Sequence, residues 1–247
     1  VYYIEVIAPM AGITNGKFCS KLATKGFDMV TIGGYNADRK TINAGHMIIQ
    51  RGRAEFDIPE TELITHISQQ TNIIKNQADW DGMVSVNIRA TTPQPIIEIS
   101  KLKGVDVVEI NAHCQQPEIM DLKCGQALLM ELNLLNEFTK EVVKKCTSKV
   151  SVKIRANTQN TDIITISRIV EDAGADFLHV DAVKPGYKNA DYSVITSIKE
   201  NTDIFLIGNN SIHDVKSARK MMSAGADGIS MARSLKDGIT PFDLSLV

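Results

Sequence analysis

The sequence predicts a parallel (β/α)8 barrel of the TIM type. Two observations carry that expectation. Eight short apolar segments alternate strictly with amphipathic ones along 247 residues, which is the length and rhythm of such a barrel. The stop signal Ala-Gly-Ala-Asp also recurs, at Ala173–Asp176 and Ala224–Asp227, as if two successive strand–helix units followed one plan. Glycine there can adopt the left-handed conformation that ends a helix, and the pair after it leads into a buried strand. A doubly wound open sheet is the other arrangement of alternating elements. It lacks support because no Gly-x-Gly-x-x-Gly turn follows the first strand.

The expected strands are Val6–Met10, Met29–Gly33, Met83–Ile88, Val107–Asn111, Val150–Ile154, Phe177–Asp181, Ile204–Ile207 and Gly228–Met231. Each is short and mostly apolar, as strands covered by helices on their outer face should be. Amphipathic stretches at Lys17–Lys25, Pro59–Asn76, Pro93–Lys101, Leu122–Lys145, Thr161–Ala173, Tyr192–Glu200 and His213–Ala224 supply the helices. The stretch after the last strand is short for a full eighth helix. Gly34 to Arg53 breaks the rhythm. It reads either as a lid or binding loop over the active face, or as a surface excursion with a short helix.

Composition narrows the function classes. The chain is 43% hydrophobic and 23% charged with a net charge of -2, ordinary for one globular domain and without the basic excess that favours nucleic acid. Cys19, Cys114, Cys124 and Cys146 form no Cys-x-x-Cys pair and no zinc spacing, so a reducing, cytoplasmic setting and no metal site are expected. No apolar run reaches the length of a membrane span. The sequence starts almost at its first strand, so a few residues are expected to precede it.

Polar groups gather where the strands end. The fourth strand delivers Asn111, His113 and Cys114 into a loop, and barrel enzymes place chemistry at that end. The alternative for Cys114 is an inert loop thiol. The first strand runs into Pro9, Met10, Ala11 and Gly12, a turn whose backbone can approach a flat ligand closely. Asn87 and Arg89 share one side of the third strand, and Lys153 and Arg155 one side of the fifth. A lysine as deep as Lys153 calls for an anion or electron-rich ligand, or for an ion pair with Glu109. Asp181 ends the sixth strand as a site candidate, whereas His179 reads first as a hydrogen-bonded core histidine. Gly208, Asn209 and Asn210 follow the seventh strand, and Ala232 and Arg233 the eighth. Those two loops form the usual phosphate cradle of barrels.

At these residues the chain resembles the tRNA-dihydrouridine synthases, flavin barrels related to dihydroorotate dehydrogenase. The resemblance rests on Ala8-Pro-Met-Ala-Gly-Ile-Thr14, Asn111-Ala-His-Cys114, Gly125-Gln-Ala-Leu-Leu129, Val152-Lys-Ile-Arg155, Gly208-Asn209 and Gly225-Ala-Asp-Gly228 to Arg233. It covers nearly the whole chain, expected as a single barrel over 1–247, and implies FMN as cofactor. Its ring would lie over the first strand at Pro9, Met10 and Ala11, with Asn87 and Lys153 near its pyrimidine end and Asp181 as a further cofactor-binding residue. The phosphate would lie at Gly208, Asn209, Asn210, Ala232 and Arg233. Cys114 would give a proton to the substrate carbon, with His113 as the other candidate acid, while Asn111 and Arg155 hold the substrate.

The chain also departs from the family. His113 and Gln115 replace the glycine and proline that flank the cysteine, Asp181 stands where a histidine is usual, and Asn87 where a glutamine is. Family members continue into a helical RNA-binding domain, and this sequence ends at Val247. The expectation is therefore an oxidoreductase acting on the activated C=C bond of a small unsaturated ring or enone-like substrate. A nicotinamide donor would have to dock directly at the flavin. A tRNA substrate would need a partner for RNA binding. A phosphometabolite-binding lyase or isomerase without flavin is the remaining alternative.

Overall fold

The computed structural model describes residues 3–247. Eight parallel strands close into a barrel in sequence order, β1 pairing with both β2 and β8. They are β1 (Ile4–Ile7), β2 (Met29–Asn36), β3 (Met83–Arg89), β4 (Val107–Ala112), β5 (Lys149–Arg155), β6 (Phe177–Asp181), β7 (Phe205–Asn209) and β8 (Gly228–Met231). The helices are α1 (Gly16–Ala23), α2 (Arg39–Gln50), α3 (Leu63–Lys75), α4 (Gln94–Ser100), α5 (Pro117–Met120), α6 (Leu132–Lys145), α7 (Ile163–Asp172), α8 (Tyr192–Lys199) and α9 (Val215–Ser223). The expected barrel is thus the observed one.

Side chains alternate between two faces along each strand. Outward residues such as Val30, Val86, Val108, Ile110, Val152, Ile154, Leu178 and Val180 form the large core with the helices. Inward residues divide by height. Ile4, Val6, Met29, Val107, Phe177 and Ile207 fill the lower interior as a small apolar plug. Above it the inward positions of β3 to β6 and β8 carry Asn87, Glu109, Ser151, Lys153, His179 and Ser230, all polar and buried. Parallel register brings these into lateral pairs, Asn87 beside Glu109, Asn111 beside Lys153, Lys153 beside His179, Arg155 beside Asp181, and Asn209 beside Ser230.

Several boundaries differ from the sequence expectation. β1 lies earlier than Val6–Met10: its pairing with β8 ends at Ile7 beside Met231, and the Ala8 N–H makes the last bond of that ladder, to Met231 O at 2.8 Å. The connection from Gly34 to Arg53 is mostly regular structure. β2 runs on to Asn36, and the twelve-residue helix α2 follows. Asp38 caps that helix, accepting from Thr41 N at 2.9 Å in a capping box, a signal that the eye passes over among the Gly, Asn and Arg of that stretch. The irregular segment is the one after it, 51–59. Within Leu122–Lys145, a 3-10 turn at Gly125–Met130 precedes α6. Gly125 has φ +60°, and a side chain there would run into the Cys114 carbonyl. After β8 only short 3-10 turns follow, at Arg233–Leu235 and Leu244–Leu246.

Candidate active site

The C-terminal ends of the strands open into a cavity of about 1160 Å3, larger than a typical single-ligand pocket of ~300–1,000 Å3. It is lined by Pro9, Met10, Ala11, Asn87, Asn111, His113, Cys114, Lys153, Arg155, Asp181, Asn209, Asn210, Ala232 and Arg233. Gly12 and Gly208 do not line it. A side chain at Gly208 would meet Met221 and Ala226, so its smallness serves helix packing behind the sheet.

One hydrogen-bonded chain crosses the cavity floor. Asn111 Oδ1 accepts from the backbone N–H groups of His113 (3.1 Å) and Cys114 (2.9 Å), which fixes the loop after β4. Asn111 Nδ2 donates to Asn87 Oδ1 at 2.8 Å, and Asn87 Nδ2 donates to Glu109 at 2.8 Å. Glu109 also accepts from Ser151 Oγ at 2.9 Å and meets His179 Nδ1 at 2.8 Å. His179 Nε2 in turn meets Ser230 Oγ at 2.6 Å and Lys153 Nζ at 2.9 Å, and Asn209 Nδ2 donates to Ser230 Oγ at 2.8 Å. The carboxylate assigns the tautomer: Nδ1–H donates to Glu109, leaving Nε2 as an acceptor for Ser230 and Lys153.

Charge in this layer follows from burial and neighbours. Burial pushes the His179 pKa down, and the Lys153 charge pushes it further, so the imidazole is neutral at pH 7. Burial alone would raise the Glu109 pKa, but His179, Lys153 and Asn87 hold the carboxyl well below the usual range. Burial also lowers the Lys153 pKa, against the pull of Glu109 and Asp181. No described carboxylate lies within 4.0 Å of Lys153 Nζ, and its hydrogen bonds go to His179 alone. The close ion pair of Lys153 with Glu109 therefore does not form, and the Lys153 amino group faces the cavity with no carboxylate in salt-bridge range among the described residues. His179 is a hydrogen-bonded interior histidine, as its first reading had it.

Two further clusters sit above the floor. Asp181 accepts from Arg155 Nη1 (2.9 Å) and Asn210 Nδ2 (2.6 Å), and its Oδ2 lies 2.7 Å from His113 Nε2. Burial opposes the Asp181 charge, yet His113, Asn210 and Arg155 together pull its pKa far down. Burial lowers the His113 pKa, and Lys153 and Arg155 add to that against Asp181. His113 is thus neutral, with Nε2–H on the carboxylate and Nδ1 as the remaining lone pair. The second cluster is Arg89 with Glu55, an ion pair whose side chains are only 2% and 1% exposed. Arg89 Nη1 lies 3.6 Å from Cys114 Sγ. Glu55 comes from the irregular 51–59 segment, whose sequence carries no periodicity to mark it. Ser230 did carry a signal, a hydroxyl inside an apolar strand.

The loops after β7 and β8 present free backbone donors. Among the described residues, the N–H groups of Asn210, Ser211, Ile212, Ala232, Arg233 and Ser234 have no acceptor within the chain. Asn210 and Ser211 both take positive φ, 104° and 54°. Consecutive N–H groups in such conformations form an anion-binding concavity. A buried lysine without an anion, side-chain amides at its flank, a small-residue wall from β1 and this cradle fit a flat ring carrying a phosphate. They therefore fit FMN.

Fold and site together define a (β/α)8 barrel whose strand ends open into one cavity lined by a thiol, an imidazole, a buried lysine and a cradle of free backbone N–H groups. The description "Dihydrouridine synthase (Dus)" matches residues 6–238, and the chain belongs to that family. An uncharacterized protein of Methanocaldococcus jannaschii is 37% identical over 241 residues, 94% of this chain and 89% of that protein. The tRNA-dihydrouridine synthase B proteins of Vibrio parahaemolyticus and Pseudomonas syringae pv. tomato are each 25% identical. The matches cover 92% and 93% of this chain and 66% and 64% of theirs. A crystal structure of 2,3-dimethylmalate lyase shares the fold alone, with a TM-score of 0.58 at 13% identity over 95% of this chain and 77% of that one. The family match identifies a flavin-dependent oxidoreductase of CH–CH groups, with FMN as its cofactor. Among the described residues, no helix is long and apolar enough to cross a membrane.

Proposed function

We propose that this protein reduces, or forms, the activated C=C bond of a small unsaturated ring of the uracil type, with FMN bound over β1. The observation that carries this reading is Lys153, a buried amino group without a carboxylate partner among the described residues, on the wall of the cavity that also holds Cys114. Lys153 and Asn87 would hold the polar edge of the ring, and the cradle of Asn209, Asn210, Ala232 and Arg233 its phosphate. When bound, FMN supplies or accepts the hydride. Asn111 and Arg155 orient the substrate, and Cys114 gives the proton to the substrate carbon. Asn111 fixes the height of the Cys114 loop through its two N–H groups, so acid and substrate are placed by one residue. General acids so placed contribute ~10²–10⁴-fold.

The test has two stages. The purified protein should show flavin absorbance, or take up added FMN, at close to one FMN per chain. Its reduced form should then be reoxidised by uridine-like rings. A protein that binds no FMN under any condition overturns the reading. Uridine within tRNA is the second reading, favoured by the names of the relatives at 25% identity. Binding of tRNA that weakens steeply with salt would support it, and absence of binding at low salt would exclude it.

A further inference from the structure

Arg89 is an unusual occupant of a barrel interior. It is buried at the end of β3, and burial works against its charge, but Cys114 and Glu55 more than offset this and its pKa moves up. Nη2 donates to Gly34 O at 2.8 Å and to Glu55 Oε2, Nη1 reaches Glu55 Oε1 at 3.3 Å and Cys114 Sγ at 3.6 Å, and Nε has no partner among the described residues. The Glu55 pairing is a fork-to-carboxylate arrangement that fixes the guanidinium plane. Its carboxylate is itself held in place. Residues Ala54 and Glu55 pack on Gly12 (φ +73°), where an added Cβ would lie 2.8 Å from Glu55 N. One ion pair thus ties the 51–59 segment that follows β2 and α2 to the end of β3, beside the loops after β1 and β4.

We propose that Arg89, clamped by Glu55, is a positioning residue for Cys114 that stabilises the thiolate formed when Cys114 gives up its proton. The proposal rests on the reading of Cys114 as the acid. In that step a hydride, which bound reduced FMN would supply, would add at one carbon of the substrate C=C bond and a proton from Cys114 at the other. The S–H bond breaks, the electron pair stays on sulfur, and solvent returns the proton. A guanidinium at hydrogen-bonding distance favours the sulfur anion. The other groups near Cys114 do not supply that charge. His113 is neutral and committed to Asp181, Glu55 is an anion, and burial pushes the Cys124 thiol up to about 12.

The experiment is alkylation by iodoacetamide over about pH 6 to 10, where thiolate and not thiol reacts, read by mass on the Cys114 peptide. Wild type is compared with the double variant R89Q/E55Q, which leaves no buried charge alone, and with R89K and E55Q. The midpoint of the pH profile should move up in R89Q/E55Q, with alkylation about tenfold slower at neutral pH for each unit moved. R89K should restore the wild-type midpoint, and E55Q, which frees the guanidinium, should move it down. A folded double variant with the wild-type midpoint overturns the proposal. So does an R89K midpoint no closer to wild type than that of the double variant, or an E55Q midpoint that stays or rises. Alkylation needs no cofactor, and FMN uptake is read separately on the same samples. A protein that takes up no FMN but shows these shifts therefore fails the flavin reading alone.

Discussion

Asp181→Asn probes the cluster above the cavity floor most directly. The Asp181 side chain is 8% exposed and accepts from Arg155 at 2.9 Å and Asn210 at 2.6 Å, with His113 Nε2 at 2.7 Å. An asparagine keeps one acceptor and turns the other towards donors as an NH2 group. At least one charge-assisted hydrogen bond, worth ~1.5–3 kcal/mol, is lost. Arg155 also loses its counter-charge, a smaller effect because that side chain is 24% exposed. The expected cost is ~2–4 kcal/mol at pH 5. Its pH dependence follows from the depressed pKa. The contribution is complete above the unfolded aspartate value of about 3.9 and is lost as pH falls towards the folded value. Below about pH 4 the wild type should lose ~1.4 kcal/mol per pH unit that the variant does not lose. Urea unfolding of both proteins at pH 5, 4 and 3 measures the gap. A gap that stays constant from pH 5 to pH 3 would show that Asp181 is not an ionised, paired carboxylate, and the reasoning fails.

Three other outcomes are expected. Cys114→Ala should lower turnover by ~10²–10⁴-fold while leaving FMN uptake unchanged; intact turnover in steady-state assays removes Cys114 as the acid. Lys153→Met should weaken FMN binding at least about tenfold in a fluorescence titration, yet leave the cofactor-free protein as stable or more so, because it replaces a buried polar amino group with an apolar side chain. Unchanged FMN affinity would count against Lys153 as a ring ligand. Asp38→Ala removes the α2 cap and the acceptor of Thr91 Oγ1 at 2.9 Å. It should cost ~2–4 kcal/mol in chemical denaturation, and a loss below about 1 kcal/mol would mean that the cap and the Thr91 tie are weak.

Much of the site was legible because a barrel strand ends where its chemistry begins. The eight apolar segments mark the strands and, for β4 and β6, their ends, so Asn111, His113, Cys114 and Asp181 could be placed from the one-dimensional pattern, whereas β1 and β2 end elsewhere than that pattern suggests. Period two put Asn87 with Arg89 and Lys153 with Arg155. Helix α2 was less legible, since its cap lies in a stretch dominated by glycine and polar residues. Partnership between strands was not legible at all, because it depends on register and on which side chain reaches across. Lys153 turned to His179 and left Glu109 to His179, Ser151 and Asn87.

The sequence by itself determined the barrel, the inward polar positions at the strand ends and the identity of the loops that face one cavity, because those follow from hydrophobic period and from closure of the sheet. Only the tertiary structure decided the charge pairing inside. It brought Glu55, from a segment without periodicity, onto Arg89 beside Cys114, and it set His113 against Asp181, 68 residues away. Long-range pairing of buried charges depends on which groups converge when water is removed, and no local pattern in the chain encodes that convergence.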